Sequence, residues 1–119
     1  MTPTLIYRVT THTDWTQAQA TGVIPLSPLD QRTGYVHLSS LEEVEETATR
    51  YFKATDAPVV LAIKTQGLAG ELKWESVAAR GGTLFPHLYG RLRLENVAHT
   101  VALDWGHDRF TLGEERPVG

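Results

Sequence analysis

The stretch "GYVHLSS", residues 34–40, sets an imidazole between Val36 and Leu38 in a run that otherwise has the make-up of a β-strand. Side chains two apart in an extended chain share a face. Val36 and Leu38 therefore point together toward a core, and Tyr35, His37 and Ser39 point the other way, toward a cleft or solvent. Ser40 and Glu43 form an S-x-x-E pattern, which predicts a capped helix directly after the strand. The histidine need not displace a core residue, because alternation gives it a face of its own.

A second stretch, "FPHLYG", residues 85–90, repeats the arrangement. Pro86 keeps Phe85 out of the helical region, and extended spacing then groups His87 with Tyr89 and Pro86 with Leu88. Two strands that each show a polar pair from one face can line a single pocket. Between them, "ELKWES", residues 71–76, alternates Leu72, Trp74 and Ser76 against Glu71, Lys73 and Glu75. That pattern suits a half-exposed strand and offers Glu75 as a carboxylate beside a bulky indole.

Outward from these motifs, "LIYRV" (5–9) and "VVLAIK" (59–64) read as strands, the second apolar enough to be buried on both faces. "DWTQAQATG" (14–22) reads as a short helix capped by Asp14 and stopped by Gly22. "VIPLSPLDQRTG" (23–34), with two prolines, reads as a loop. The helix after Ser40 carries Leu41, Val44, Ala48 and Tyr51 as an apolar stripe, with Glu42, Glu43, Glu45 and Glu46 mostly opposite. "RLRLENV" (91–97), "HTVALDW" (99–105) and "RFTL" (109–112) read as further strands, with a turn at Gly106 and His107 and a flexible tail over 113–119. The predicted class is α+β: one domain over residues 1–119, a mainly antiparallel sheet, and two helices in the N-terminal half.

Composition narrows the function classes. The chain has 119 residues, 11 Lys and Arg against 14 Asp and Glu, and a formal charge of −3, so no polybasic footprint for duplex nucleic acid is present. Absence of Cys excludes disulfides, thiolate catalysis and cysteine metal sites. No apolar run approaches the roughly 18–20 residues that span a bilayer, and the expectation is a soluble cytoplasmic protein. No histidine pair has zinc-helix spacing, so no metal is expected. A G-x-S-x-G elbow, a phosphate loop and a dinucleotide fingerprint are all missing. His12, His99 and His107 fall in turns or polar faces and receive no role. Plainer readings stand beside the functional ones. A strand histidine can be structural, Ser39 and Ser40 can simply cap, Tyr89 can merely pack, and Glu75 can be a surface charge.

The order "YRV", "GYVHLSS", "LKWES", "GGTLFPHLYGRLRLENV" closely resembles the small bacterial proteins of domain of unknown function 952, over roughly residues 5–105. In one position the chain departs from that pattern, since Thr33 stands where the family usually has Asp before the glycine of the first motif. The resemblance implies an ADP-ribosyltransferase-like fold, in which two small antiparallel sheets splay to form a cleft for NAD. It further implies that His37 holds a ribose hydroxyl with Ser39 supporting the same strand edge. His87 and Tyr89 would face nicotinamide or another planar group, and Tyr35 shares the face of His37. Glu75 lies in the family's W-E pair and would be the carboxylate near the reacting ribose, where it could steady an oxocarbenium-like state. His37, His87 and Glu75 are thus the candidate catalytic residues, and Ser39, Tyr89 and Tyr35 the candidate ligand contacts. The implied function is action on NAD or a related phosphorylated nucleotide as a transferase or glycohydrolase. The alternative is a non-catalytic nucleotide or small-ligand binder, and a third reading has the two histidines only satisfying each other or the backbone.

Overall fold

The computed structural model describes residues 3–68 and 70–118. Its first strand, β1 (Leu5–Thr10), is followed by α1 (His12–Thr21) and α2 (Pro28–Thr33), then a two-residue strand β2 (Val36–His37) and α3 (Val44–Tyr51). Five strands complete the chain: β3 (Val59–Lys64), β4 (Leu72–Val77), β5 (Thr83–Leu88), β6 (Val97–Gly106) and β7 (Arg109–Arg116). They form two antiparallel sheets, β1-β3-β6-β7 and β2-β5-β4. The class is α+β, as the residue pattern predicts.

The two sheets are stitched together by the opening motif. Val36 and His37 pair with Leu88 and His87 of β5, and the Leu38 N–H donates to the Pro86 carbonyl at 3.2 Å. One residue later the chain changes partner. The Ser39 N–H donates to the Tyr7 carbonyl at 2.7 Å, and the Tyr7 N–H donates to the Ser39 carbonyl at 2.8 Å. Residues 36–39 thus leave the three-stranded sheet and reach β1, at the edge of the four-stranded one.

Two apolar layers follow from strand alternation. Ile6, Leu61 and Ile63 meet Val36, Leu38 and Leu88 in a core shared by the two sheets, with Ala18 of α1 against it. On the other side of the large sheet, Tyr7, Val9, Val60, Ala62, Val101 and Phe110 pack on Val44 and Ala48 of α3. The three-stranded sheet gives its apolar face to the first core through Leu72, Trp74 and Leu88. Its opposite face, with His37, Glu75, Phe85 and His87, is left for other work.

Several local expectations change. α1 is capped by Thr11, whose hydroxyl accepts the Asp14 N–H, so Asp14 lies in the first turn; Gly22 does end the helix. Residues 28–33, read as loop, form a third helix in the N-terminal half, because Ser27 and Asp30 make a reciprocal capping box around Pro28 at the first helical position. Gly34, at φ 87°, supplies the left-handed turn that ends this helix and aims the chain into β2. Ser40 does not cap α3 with its side chain; residues 40–43 form a turn, and Glu43 takes the cap position without a side-chain bond. Of the apolar stripe only Val44 and Ala48 are buried, since Leu41 precedes the helix and Tyr51 ends it, both exposed.

"RLRLENV" is not a strand. Arg93 makes one bridge to Val23, and Leu94–Asn96 form a single 3-10 turn before β6. The β6–β7 hairpin turns through His107 and Asp108, both at positive φ. Residues 113–116, expected to fray, continue β7, because ten-residue β6 extends far enough back to pair Thr100 with Arg116 and Val101 with Glu115. Gly119, the last residue of the expected tail, lies outside the described residues. Among those described, no helix is long and apolar enough to cross a membrane.

Candidate functional site

A cavity of about 690 Å³ opens where the end of β1, the starts of α1 and α2, and the end of α3 meet the polar face of the three-stranded sheet. Tyr35, His37, Phe85 and His87 form its sheet wall, and Arg8, Arg32 and Arg80 are also among its lining residues. Its size falls within the range of about 300–1,000 Å³ usual for small-ligand pockets.

The two histidines are direct cross-strand partners, with ring centroids 5.4 Å apart. Tyr35 lies against both: its ring stacks on His87 at 4.2 Å, meets His37 at 4.6 Å and reaches Tyr89 at 5.2 Å. Four aromatic rings thus hold one another's rotamers. Since Tyr35 occupies one face of His87, a planar ligand would meet Tyr35 or displace it rather than stack freely on that face.

Each imidazole is backed by a carboxylate. His37 Nδ1 lies 2.7 Å from Asp30 Oδ1, and His87 Nδ1 lies 2.8 Å from Glu75 Oε1. A carboxylate only accepts, so Nδ1 carries the proton in both rings and Nε2 presents a lone pair when the ring is neutral. Neither Nε2 has a hydrogen-bond partner among the described residues.

Asp30 is the hub that sequence reading missed. Its side chain has no exposure, and it accepts from Arg8 Nη2 at 2.6 Å, the His37 N–H at 3.1 Å and the Ser27 N–H at 2.9 Å, besides the His37 ring. Burial alone would raise its pKa. The His37 hydrogen bond, the Arg8 charge and bond, and the Ser27 N–H outweigh burial and hold the carboxyl well below the usual range. Arg8, itself 4% exposed, also donates from Nη1 to the His37 carbonyl at 2.8 Å. Its Nε is buried and has no partner among the described residues. The signal for Asp30 was present in "SPLD", a capping box with proline at the first helical position. Thr33, the departure from the family pattern, donates to the Leu29 carbonyl at 3.0 Å; the carboxylate at this side of the site comes from Asp30.

Glu75 is placed differently. Besides His87 it accepts the Tyr89 hydroxyl at 2.7 Å, and those two bonds hold its pKa below the ordinary value. The same bond raises the pKa of Tyr89. Glu75 and Tyr89 stand beside the cavity and not among its lining residues. Glu75, expected near the reacting ribose, engages His87 and Tyr89 from beside the cavity. Burial, with the charge of His37, pushes the His87 pKa below 6.5, against the opposing effect of Glu75.

Ser39 lines the cavity but is 2% exposed, and its hydroxyl is 2.9 Å from that of Thr47. Thr47 in turn accepts from Arg80 Nη1 at 3.0 Å. Arg80, from the turn between β4 and β5, also binds Glu43 at 3.1 Å and Glu46 at 3.0 Å and lies 4.5 Å over the Phe85 ring. This second buried arginine ties α3 to the small sheet. No group of three or more potential metal ligands comes together among the described residues.

The family profile described as "Protein of unknown function (DUF952)" matches residues 9–100. The chain belongs to the DUF952 family. Among solved structures it is similar to the crystal structure of protein CC0527 from Caulobacter crescentus, at 37% identity and a TM-score of 0.81, covering 91% of this chain and 94% of that one. The solution structure of the same protein gives 38% identity and a TM-score of 0.75, over 91% of each chain. No curated protein matches. Membership in DUF952 fixes a fold without a reaction, so a functional reading has to come from the site. Both histidine motifs, His37 and His87, fall inside the matched region.

Proposed function

We propose that this DUF952 protein binds NAD or a related phosphorylated nucleotide in the cavity and acts on it as a transferase or glycohydrolase, on an ADP-ribosyltransferase-like fold. One observation carries the reading: Tyr35 and His37 from one motif and His87 from another, fifty residues on, converge on one wall of a ligand-sized cavity. Aromatic rings offer stacking to a base or nicotinamide. Histidine nitrogens offer hydrogen bonds to ribose hydroxyls, and Arg32 on the cavity lining offers a positive charge to a phosphate. The cavity draws on β1 from one antiparallel sheet and on β2 and β5 from the other, which suits a cleft made by splayed sheets.

A second reading, a binder without turnover, is favoured by the place of Glu75 beside the cavity. The two separate in one experiment. NAD and ADP-ribose are titrated calorimetrically into wild type and His37→Ala, and nicotinamide release is followed by chromatography. Saturable binding that weakens at least tenfold in His37→Ala supports the site, and nicotinamide release supports the transferase or glycohydrolase. Binding without release leaves the binder, and failure of wild type to bind either nucleotide overturns the NAD reading.

A further inference from the structure

We propose that His37 and His87 are a general acid–base pair that cleaves a nucleoside phosphodiester, with Asp30 and Glu75 as positioning residues behind them. The inference rests on the reading that the cavity receives a nucleotide phosphate; it keeps that ligand and places the broken bond at phosphorus in place of the glycosidic carbon. Nicotinamide leaves its ribose as a neutral molecule and needs no proton. The site nevertheless holds two imidazoles, each with Nδ1 committed to a carboxylate and Nε2 unpaired among the described residues. Two proton-exchanging groups on one wall, with ring centroids 5.4 Å apart, suit a reaction that takes one proton and returns another. Hydrolysis of a phosphodiester is such a reaction, because its leaving alkoxide must be protonated.

The step balances as follows. Water attacks phosphorus, and its proton passes to His87 Nε2 as the new O–P bond forms. The P–O bond to the ribose oxygen breaks, its electron pair stays on that oxygen, and the Nε2 proton of His37 completes the hydroxyl. Solvent then reverses the two protonation states. His87 is the base because it is the more deeply buried ring, with its side chain 4% exposed against 28% for His37, and burial favours the neutral form. His37 is the acid because its carboxylate partner, Asp30, is wholly buried and faces the imidazolium that must precede transfer. Arg8 lies against both Asp30 and the His37 carbonyl, and so fixes the carboxylate and the strand that hold the acid.

The test uses two substrates that differ in the leaving group. 2′,3′-Cyclic AMP loses a ribose alkoxide that needs a proton, whereas bis(4-nitrophenyl) phosphate loses a phenolate that does not at neutral pH. His87→Ala should lower kcat on both, by about 10²–10⁴-fold. His37→Ala should lose as much on the cyclic nucleotide and less than tenfold on the aryl ester, a result that also shows the variant folded. Glu75→Gln should lower kcat with KM unchanged. Equal losses on both substrates in His37→Ala would overturn its assignment as the acid. Tight NAD binding with no turnover of either ester would overturn the phosphodiester proposal and leave the nucleotide reading standing. Nicotinamide release abolished by Glu75→Gln would overturn it in favour of glycosidic chemistry. Absence of binding by NAD, ADP-ribose and both esters would remove the nucleotide reading as well.

Discussion

The two carboxylate–histidine pairs are alike in length and differ in everything around them. Asp30 is fully buried, shared between Arg8, the His37 ring and two backbone N–H groups, and fixed by a helical capping box. Glu75 is 39% exposed on its side chain and has two partners, His87 and Tyr89, one of them itself exposed. The first carboxylate is therefore part of the scaffold as well as of the site, since without it a buried arginine loses its counter-charge. The second can be lost without exposing any such debt. Identical chemistry at the imidazole is thus obtained once from the fold and once from the surface.

The largest expected effect separates them by stability. Removing one partner of a buried ion pair costs about 3–5 kcal/mol, because the other charge stays behind unpaired. Asp30→Ala should lose about that much in urea unfolding followed by circular dichroism. Glu75→Ala should keep a midpoint close to wild type. Similar losses in the two variants would break the distinction, and would mean that Glu75 also supports the fold.

A smaller effect reads the pairs through pH. The folded His87 titrates below 6.5 because burial disfavours its charged form, while the unfolded ring titrates near that value. Between those two points the unfolded chain holds more protons, so stability falls as pH drops through the window below 6.5. Glu75 opposes the depression. Glu75→Gln should therefore move the His87 ring proton resonance to a still lower midpoint in an NMR titration and widen the window of acid destabilisation. Asp30, also held low, adds its own loss only at more acidic pH, below the ordinary carboxyl value of 3.8. A His87 midpoint that stays unchanged in Glu75→Gln would mean that the carboxylate does not act on this ring.

The contrast also accounts for how much could be read from sequence. Alternation in residues 34–40 and 85–90 is a local property of the pleat, and the buried Val36, Leu38 and Leu88 and the shared face of His37 and Tyr35 follow it. Glu75 was visible for the same reason, as the outward residue of "KWES". The pairing of His37 with His87 was not, because register between strands fifty residues apart depends on the whole sheet. Asp30 was lost in a segment read as loop, since two prolines outweighed a short capping signal. Arg8 received no role, and its burial makes sense only once Asp30 is beside it. The expected tail failed likewise, since residues 113–116 become a strand only through their partner β6. The motifs named the rings on the cavity wall, and the missed residues were those whose role is set by a partner far along the chain.

The smallest effect tests whether Glu75 is positioned at all. The Tyr89 hydroxyl is the foremost influence that holds its carboxyl low, ahead of the His87 bond, yet Tyr89 is 40% exposed and no element of the fold hangs on its oxygen. Tyr89→Phe should therefore leave the unfolding midpoint unchanged and raise the Glu75 titration toward 4.5, followed by carboxyl carbon NMR. The His87 bond survives in this variant, so Glu75 stays within reach of the ring, while freedom to rotate about its remaining partner increases. If the titration does not move, the Tyr89 contact is not kept in solution, and His87 alone fixes the carboxylate. In that case Glu75 is even less like Asp30: a single hydrogen bond would stand where Asp30 has five.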